Sequence, residues 1–107
     1  MQFINLTPHS VSIHKASGKV TTFPKPDKPA RCAQVTEKFA EINGFDICRV
    51  RFGEVQDLPA PAPGVTYIVS RVVAEAVKGK RDDIVIPGPA IRDEQGHTIG
   101  AYGFSLI

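Results

Sequence analysis

Short apolar runs separated by turn residues dominate the hydrophobic pattern of this chain, and most of them alternate as β-strands do. Strand-like runs lie at 3–4, 10–14, 19–23, 45–52, 65–69, 84–86 and 97–106. One window differs, because Ser70 is followed by apolar residues at helical spacing and Gly79 closes the stretch. This predicts one short helix near residues 71–78, with Ser70 as its N-cap. We therefore predict an α+β fold, mainly an antiparallel β-sheet with one short α-helix.

Three hairpins follow from the turn residues. Asn43-Gly44 is the preferred pair for a type I′ turn, since both positions need a positive φ, and it separates two alternating runs. Residues 32–42 also fit a short helix, but a strand is favoured because the turn follows directly. Segments 10–14 and 19–23 predict a second hairpin. The third joins Arg92 to His97 near the C-terminus.

Two proline-rich segments interrupt these strands, at 24–29 and at 58–64. Alternating prolines exclude a central strand or a helix and favour extended backbone. We interpret both as stiff connections. Recognition of the second segment by an SH3-type domain is a weaker alternative.

Composition sets broad limits. At 107 residues, 42% apolar and 22% charged, the chain predicts a single globular domain spanning 1–107. A net charge of +2 gives no reason to expect duplex nucleic acid as a partner. No apolar run approaches the length of a membrane span, and no signal peptide pattern opens the chain. We therefore predict no membrane partner and a cytoplasmic location.

The two cysteines, Cys32 and Cys48, lie on the two arms of the predicted Asn43-Gly44 hairpin. We interpret them as small buried hydrophobes, and a disulfide between them stays open as the alternative. Without a Cys-x-x-Cys motif and with three scattered histidines, neither a metal nor a cofactor is predicted.

Polar side chains next to apolar strands give the candidate binding residues. The bend around Pro8 brings several together, the predicted helix start adds donors, and arginine can grip two oxygens of an anion. The candidate ligand-binding residues are Asn5, Thr7, His9, Ser70, Arg71 and Arg81. Structural roles compete with this interpretation: His9 could stabilise the turn, and Arg81 could pair with Asp83.

An ordered set of motifs carries a resemblance that spans almost the whole chain. The set comprises Asn5-Leu6-Thr7-Pro8-His9, Leu58-Pro59, a Pro-Gly-x-x-Tyr-Ile-Val-Ser run at 63–70, Arg81-Asp82-Asp83 and Arg92-Asp93-Glu94-x-Gly96. In these motifs the chain resembles a family of small phage and prophage proteins without an assigned activity. The resemblance implies a viral context, in which small proteins act on host defence or host enzymes by binding.

Three functions compete at this point. The first, slightly favoured, is capture of a small anionic, nucleotide-like ligand that serves as a host defence signal. The second is a protein-binding inhibitor or accessory factor acting on a host protein. The third and least favoured is a small hydrolase-type enzyme, with His9 or His97 as base beside an acidic residue. Its acidic candidates are Asp82, Asp83, Asp93 and Glu94. No residue is assigned as catalytic, and self-association into a homo-oligomer is left open.

Overall fold

The computed structural model describes residues 2–107 as ten strands and one short helix. In chain order the elements are β1 (Gln2–Asn5), β2 (Val11–His14), β3 (Val20–Phe23), β4 (Arg31–Ile42), β5 (Phe45–Gln56), β6 (Val65–Ile68), α1 (Arg71–Ala76), β7 (Ile84–Pro87), β8 (Ala90–Arg92), β9 (Thr98–Ala101) and β10 (Phe104–Ser105).

The first sheet has the strand order β1-β6-β7-β10, and its first three strands run parallel. β6, α1 and β7 form a β-α-β unit, in which the helix provides the crossover that parallel neighbours require. The continuous apolar sequence of β6 suits this position, since Tyr67, Ile68 and the following Val69 are buried as in other parallel strands. β10 closes the sheet antiparallel to β7.

The second sheet has the order β3-β2-β9-β8. β2 and β3 form the antiparallel hairpin predicted for segments 10–14 and 19–23, and β8 and β9 form the predicted C-terminal hairpin, so both predictions are confirmed. β2 meets β9 in parallel. Phe23 of this sheet packs edge-on against Phe3 and Phe104 of the first sheet, with ring centroids 6.4 and 6.0 Å apart. This aromatic contact joins the two sheets.

β4 and β5 pair only with each other and form a long hairpin, called the arm below (residues 31–56). Asn43 and Gly44 at its tip have φ of 53° and 81°, so the predicted hairpin is confirmed and the helical alternative for 32–42 is excluded. The radius of gyration is 16.4 Å, against about 13 Å for a compact chain of this length. The arm projects from the body and accounts for this difference.

The main core lies between α1, the first sheet and the base of the arm. Its buried members are Leu6, Ala30, Tyr67, Val69, Val73, Ala74, Val77 and Ile84. Cys32 and Val55 at the base of the arm pack against this cluster. The helix is therefore held by burial of its apolar side, which matters because an isolated helix of six residues is unstable in water.

The predicted α+β fold is wrong: about 50% of the chain is strand and about 6% is helix, spread over three sheets, which makes the fold mainly β. The predicted antiparallel sheet is also wrong for β1, β6 and β7. The helix does form within the predicted window, but it covers only Arg71–Ala76. Ser70 is its N-cap by position and makes no side-chain capping bond. Within residues 2–107, no helix is long and apolar enough to cross a membrane.

The cysteines do lie on the two strands of the arm, as predicted, but they are free thiols. Cys32 pairs in register with Val55, whereas Cys48 pairs with Lys38. The two cysteines are thus offset by six residues along β4 and seven along β5, roughly 20 Å, far beyond the reach of a disulfide. Cys32 is half-buried, but Cys48 is exposed, so the prediction of two buried hydrophobes is wrong for Cys48.

Candidate functional site

A cleft of about 1020 Å³ opens where the two sheets meet. One wall is built by the residues that follow the carboxyl ends of β1, β6 and β7, and the other by β2, β8 and β9. The segments lining it are 7–12, 69–71, 86–90, 98–101 and 105–107, together with Arg92. Parallel strands expose their carboxyl ends along one edge, and the crevice outside that edge is the usual ligand position in open sheets with parallel strands.

The lining of this cleft carries two arginines and no acidic side chain among the described residues. Arg71 comes from the start of α1 and Arg92 from the end of β8, and His9 adds an imidazole from the bend after β1. Hydroxyl groups add further hydrogen-bonding capacity: Thr7, Ser10, Ser12, Ser70, Thr98 and Ser105. The apolar lining residues include Val69, Ile86 and Ile99. Such a surface favours a ligand with both negative charge and apolar area.

The two arginines differ in how firmly they are held. Arg71 is 68% exposed and its guanidinium lies 3.4 Å from the Glu75 carboxylate, one helical turn away. Such an exposed pair is weak and can open to a ligand. Arg92 Nη1 donates to the carbonyl of Gly96 at 3.0 Å, which orients its side chain along the β8–β9 turn. Each guanidinium keeps other donors for a ligand, because it carries five N–H groups.

Asn5 holds the bend that forms one wall of the cleft. Its amide Nδ2 donates to the carbonyls of His9, Phe23 and Pro24 at 2.9, 3.2 and 3.2 Å. Its Oδ1 accepts from both the backbone N–H and the hydroxyl of Thr7, at 2.9 and 2.7 Å. These contacts occupy the side chain fully, so Asn5 shapes the wall from behind and does not itself line the cleft.

Thr7 completes the same network, since its hydroxyl lies between two acceptors, Asn5 Oδ1 at 2.7 Å and the carbonyl of His9 at 2.8 Å, which share its single proton. Thr7 lines the cleft but is buried, whereas His9 is exposed. Among the candidates on this bend, His9 is therefore the one whose side chain can reach a ligand.

Arg81 lies away from the cleft, before β7 and thus beside the amino end of that strand. Its guanidinium makes two bonds to the Asp83 carboxylate, at 2.9 and 2.7 Å, and one to the carbonyl of Pro59 at 3.0 Å. The hydroxyl of Tyr67 donates a hydrogen bond to the carbonyl of Ala60 at 3.3 Å. Together these bonds fasten the proline-rich segment 58–64 to the first sheet.

The pair of Arg81 and Asp83 is mostly buried, with side-chain exposures of 16% and 11%. Hydrogen bonding to Arg81 lowers the pKa of Asp83, and the reciprocal bond to Asp83 raises the pKa of Arg81. The charges of Arg81 and Asp83 thus neutralise each other within the fold. The structure brings Thr7, His9, Ser70 and Arg71 to one cleft and leaves Asn5 and Arg81 out of it.

Two of the four acidic residues considered for an enzyme, Asp83 and Asp93, make contacts within the fold. Asp83 is neutralised by Arg81. Asp93 Oδ1 accepts the backbone N–H groups of Gln95 and His97, both at 2.9 Å, and so forms the turn between β8 and β9. His97 Nδ1 lies 3.6 Å from Asp93 in this exposed turn. These contacts are those of a stable turn.

Arg92 is the functional candidate that sequence reasoning missed. Its position before the turn residues Asp93 to Gly96 indicated only that it flanks a hairpin. What brings Arg92 to the cleft is the parallel contact of β2 with β9, at Ile13 and Ala101. No local pattern in the sequence signals that contact.

Comparisons with protein-family models, with curated proteins and with solved structures find no match to this chain. Residues 2–107 contain no group of three or more His, Cys, Asp or Glu placed to hold a metal ion.

Proposed function

We propose that this protein captures a small anionic, nucleotide-like ligand in the cleft between its two sheets. The observation that carries the proposal is the charge of the lining, where Arg71 and Arg92 face a space without an acidic side chain among the described residues. Guanidinium groups bind phosphate and carboxylate oxygens through paired, charge-assisted hydrogen bonds.

The location and size of the cleft support the same function. Small ligands bind preferentially outside the carboxyl ends of parallel strands, and β1, β6 and β7 end there. Its volume of about 1020 Å³ lies at the upper end of the usual range for small-molecule sites, about 300–1,000 Å³. A ligand larger than a single phosphate is therefore expected, with its apolar part against Ile86 and Ile99, which line the cleft and are not fully buried.

The resemblance to small phage proteins supports the biological setting of the proposal. A phage protein that binds a nucleotide-like signal tightly lowers its free concentration and so blunts the host defence that the signal triggers. The protein would then act in the host cytoplasm. Capture of this kind requires binding without turnover, and the occupied state of Asp83 and Asp93 agrees with that requirement.

Calorimetric titration with mono-, di- and cyclic nucleotides tests the proposal. We expect one class to bind, and we expect Arg71→Gln and Arg92→Gln each to weaken that binding by roughly ten- to a hundredfold, as loss of a charged hydrogen bond costs about 1.5–3 kcal/mol. Arg51→Gln is the matched control, because Arg51 is 66% exposed and pairs with Glu37 on the arm, far from the lining.

Three outcomes count against the proposal. If no nucleotide binds, ligand capture is rejected. If a nucleotide binds but both cleft variants retain the parent affinity, the cleft is not the site. If Arg51→Gln weakens binding as much as Arg71→Gln, the effect comes from overall charge, and specific contact in the cleft is rejected.

A further inference from the structure

The arm exposes large apolar side chains that the cleft does not explain. From Val35 to Ile47, five of them are between 40% and 72% exposed: Val35, Phe39, Ile42, Phe45 and Ile47. Large apolar side chains exposed close together on a protein surface are typical of an interaction site.

These five side chains share one face of the arm. Alternation along β5 puts Phe45, Ile47 and Arg49 on the same side, and the register pairs Phe45 with Ile42 across the hairpin. Arg49 lies 4.3 Å from the ring centroid of Phe39, which places Phe39 on this side too. We call this surface the apolar arm face, with Val35, Phe39, Ile42, Phe45 and Ile47 as its members.

A bulge creates this arrangement. The register shifts between Lys38 and Ala40, so Phe39 and Ala40 follow each other without changing sides, as happens where two residues oppose one. Regular alternation would have sent Ile42 to the side opposite Phe39. The irregularity thus gathers the apolar side chains of the tip onto one face.

The opposite face of the tip is ionic. Lys38 bridges Glu41 at 2.8 Å and Asp46 at 3.2 Å, and hydrogen bonds to these carboxylates raise the pKa of Lys38. The arm tip is therefore amphipathic. Nearer the base, the side of the apolar arm face also carries charge, because the register puts Glu37 opposite Arg49 and Val35 opposite Arg51, and Arg51 pairs with Glu37 at 2.9 Å.

An uncovered arm of this length is not expected to be stable. A two-stranded hairpin in water is marginal without further strands or a packed face, and here the apolar contact with the core lies at the base of the arm, at Cys32 and Val55. Burial of the apolar arm face would supply the missing stabilisation.

We propose that the apolar arm face binds the apolar arm face of a second copy of this chain, forming a homodimer. Charge favours a second copy over a strongly charged partner, because the arm is neutral: four basic residues balance four acidic ones. The basic residues are Arg31, Lys38, Arg49 and Arg51, and the acidic ones are Glu37, Glu41, Asp46 and Glu54. Two such arms meet without net repulsion.

The area also matches a dimer. The chain exposes 7563 Å² over 107 residues. At this mean exposure per residue, the 26 residues of the arm expose about 1,800 Å², or roughly 900 Å² on one face, near the ~800 Å² per partner of a standard interface. This area is that of one whole side of the arm, which includes Glu37, Arg49 and Arg51 besides the apolar arm face. Contact along this whole side is sufficient for a stable dimer, and it does not depend on the cleft.

Sedimentation velocity across a concentration series tests the proposal. We expect the parent chain to sediment as a dimer that dissociates on dilution, and Phe45→Ser to raise the dissociation constant by about tenfold or more, as for an aromatic side chain buried in an interface. Val50→Ser is the matched control, because Val50 is 53% exposed on the other face of the same strand. We expect it to leave the dissociation constant within about twofold of the parent value.

Circular dichroism of each variant checks that the body stays folded, and Ile42→Ser provides a second, independent change on the same face. A parent chain that is monomeric at every concentration overturns the proposal, including the case in which a host protein co-purifies on the arm. Equal weakening by Val50→Ser and Phe45→Ser would also overturn it, because the face would then be wrongly assigned.

Discussion

Replacement of Asn5 by alanine should lower the free energy of unfolding by about 3–5 kcal/mol. The side chain is only 6% exposed. Its amide makes hydrogen bonds to four backbone groups: the carbonyls of His9, Phe23 and Pro24 and the N–H of Thr7. The contacts to Phe23 and Pro24 tie the bend after β1 to the end of β3.

The magnitude follows from what alanine leaves behind. Each hydrogen bond contributes about 1 kcal/mol net, and each buried polar group left without a partner costs about 1–3 kcal/mol. The His9 carbonyl keeps the hydroxyl of Thr7 as a donor, so it is spared part of this cost. Three or four lost bonds then give about 3–5 kcal/mol, a large part of the 5–15 kcal/mol that stabilises a typical domain.

Urea unfolding followed by circular dichroism measures the effect, with an unchanged denaturant slope as the check on two-state behaviour. Thr7→Val is the graded control, because it removes only the hydroxyl contacts to Asn5 and His9 and should cost about 1–2 kcal/mol. Asn5→Asp should be at least as damaging as Asn5→Ala at neutral pH, since it turns a carboxylate toward three carbonyl oxygens.

An Asn5→Ala variant within about 0.5 kcal/mol of the parent would refute this reasoning, because surface substitutions typically fall in that range. So would a variant of full stability that no longer binds the ligand of the cleft. That result would mean that Asn5 contacts ligand and that its bonds to the bend are dispensable.

Three further predictions concern other parts of the fold. The pKa of Asp83 is lowered from 3.8, so its pair with Arg81 stabilises the fold above that pH. This stabilisation is lost as the pH falls through the lowered pKa. The free energy of unfolding should therefore decrease in this acidic range, and Asp83→Asn should remove that part of the pH dependence. Replacing Asn43 and Gly44 together by alanine should cost roughly 1–3 kcal/mol, because alanine must adopt positive φ twice, which urea unfolding measures. Gly100→Ala should lower the thermal midpoint, because an added Cβ would lie 2.8–2.9 Å from the His14 ring and the Ser12 carbonyl.

Each of these has an outcome that contradicts it. An acid transition identical in parent and Asp83→Asn would show that the ion pair carries no pH dependence. An unchanged urea midpoint in the double alanine variant would mean that the hairpin turn tolerates another geometry. For Gly100, the control is Gly53→Ala, because a Cβ added at Gly53 would lie 3.4 Å from the Ala33 Cβ, an ordinary contact. Equal thermal midpoints for the two variants would show that close approach at Gly100 does not lower the stability.

The local features of this chain are readable from neighbouring residues alone. Asn43-Gly44 specifies a hairpin because few other pairs accept positive φ at both positions. The window from Ser70 to Gly79 specifies a helix within it, and Gly79 indeed has a φ of +80°. The β-α-β order at 65–87 was also present in the sequence, as a buried strand, a helix and a second apolar strand, and it was the available signal for parallel pairing.

Strand partners and their direction are not contained in such local patterns. β1 pairs with β6 more than sixty residues away, with Gln2 opposite Val65, and alternation of apolar residues is the same whichever strand lies alongside. The predicted antiparallel sheet was wrong for this reason, because counting strands says nothing about which of them run parallel. The predicted α+β class was wrong for another reason: the helix covers only the six residues Arg71–Ala76.

The cleft and the arm show the same difference between what local sequence specifies and what long-range pairing decides. Residue type predicted Asn5 and Arg81 as ligand contacts. In the fold, however, Asn5 bonds to the bend after β1 and Arg81 pairs with Asp83, because a buried polar group forms hydrogen bonds with the groups that the tertiary structure places next to it. Arg92 reaches the cleft only through the packing of β8 beside β9 and of β9 beside β2. Phe39 and Ile42 share a face only because a bulge separates them. Sequence thus specifies turns and element types through φ and periodicity, whereas long-range pairing decides which side chains meet.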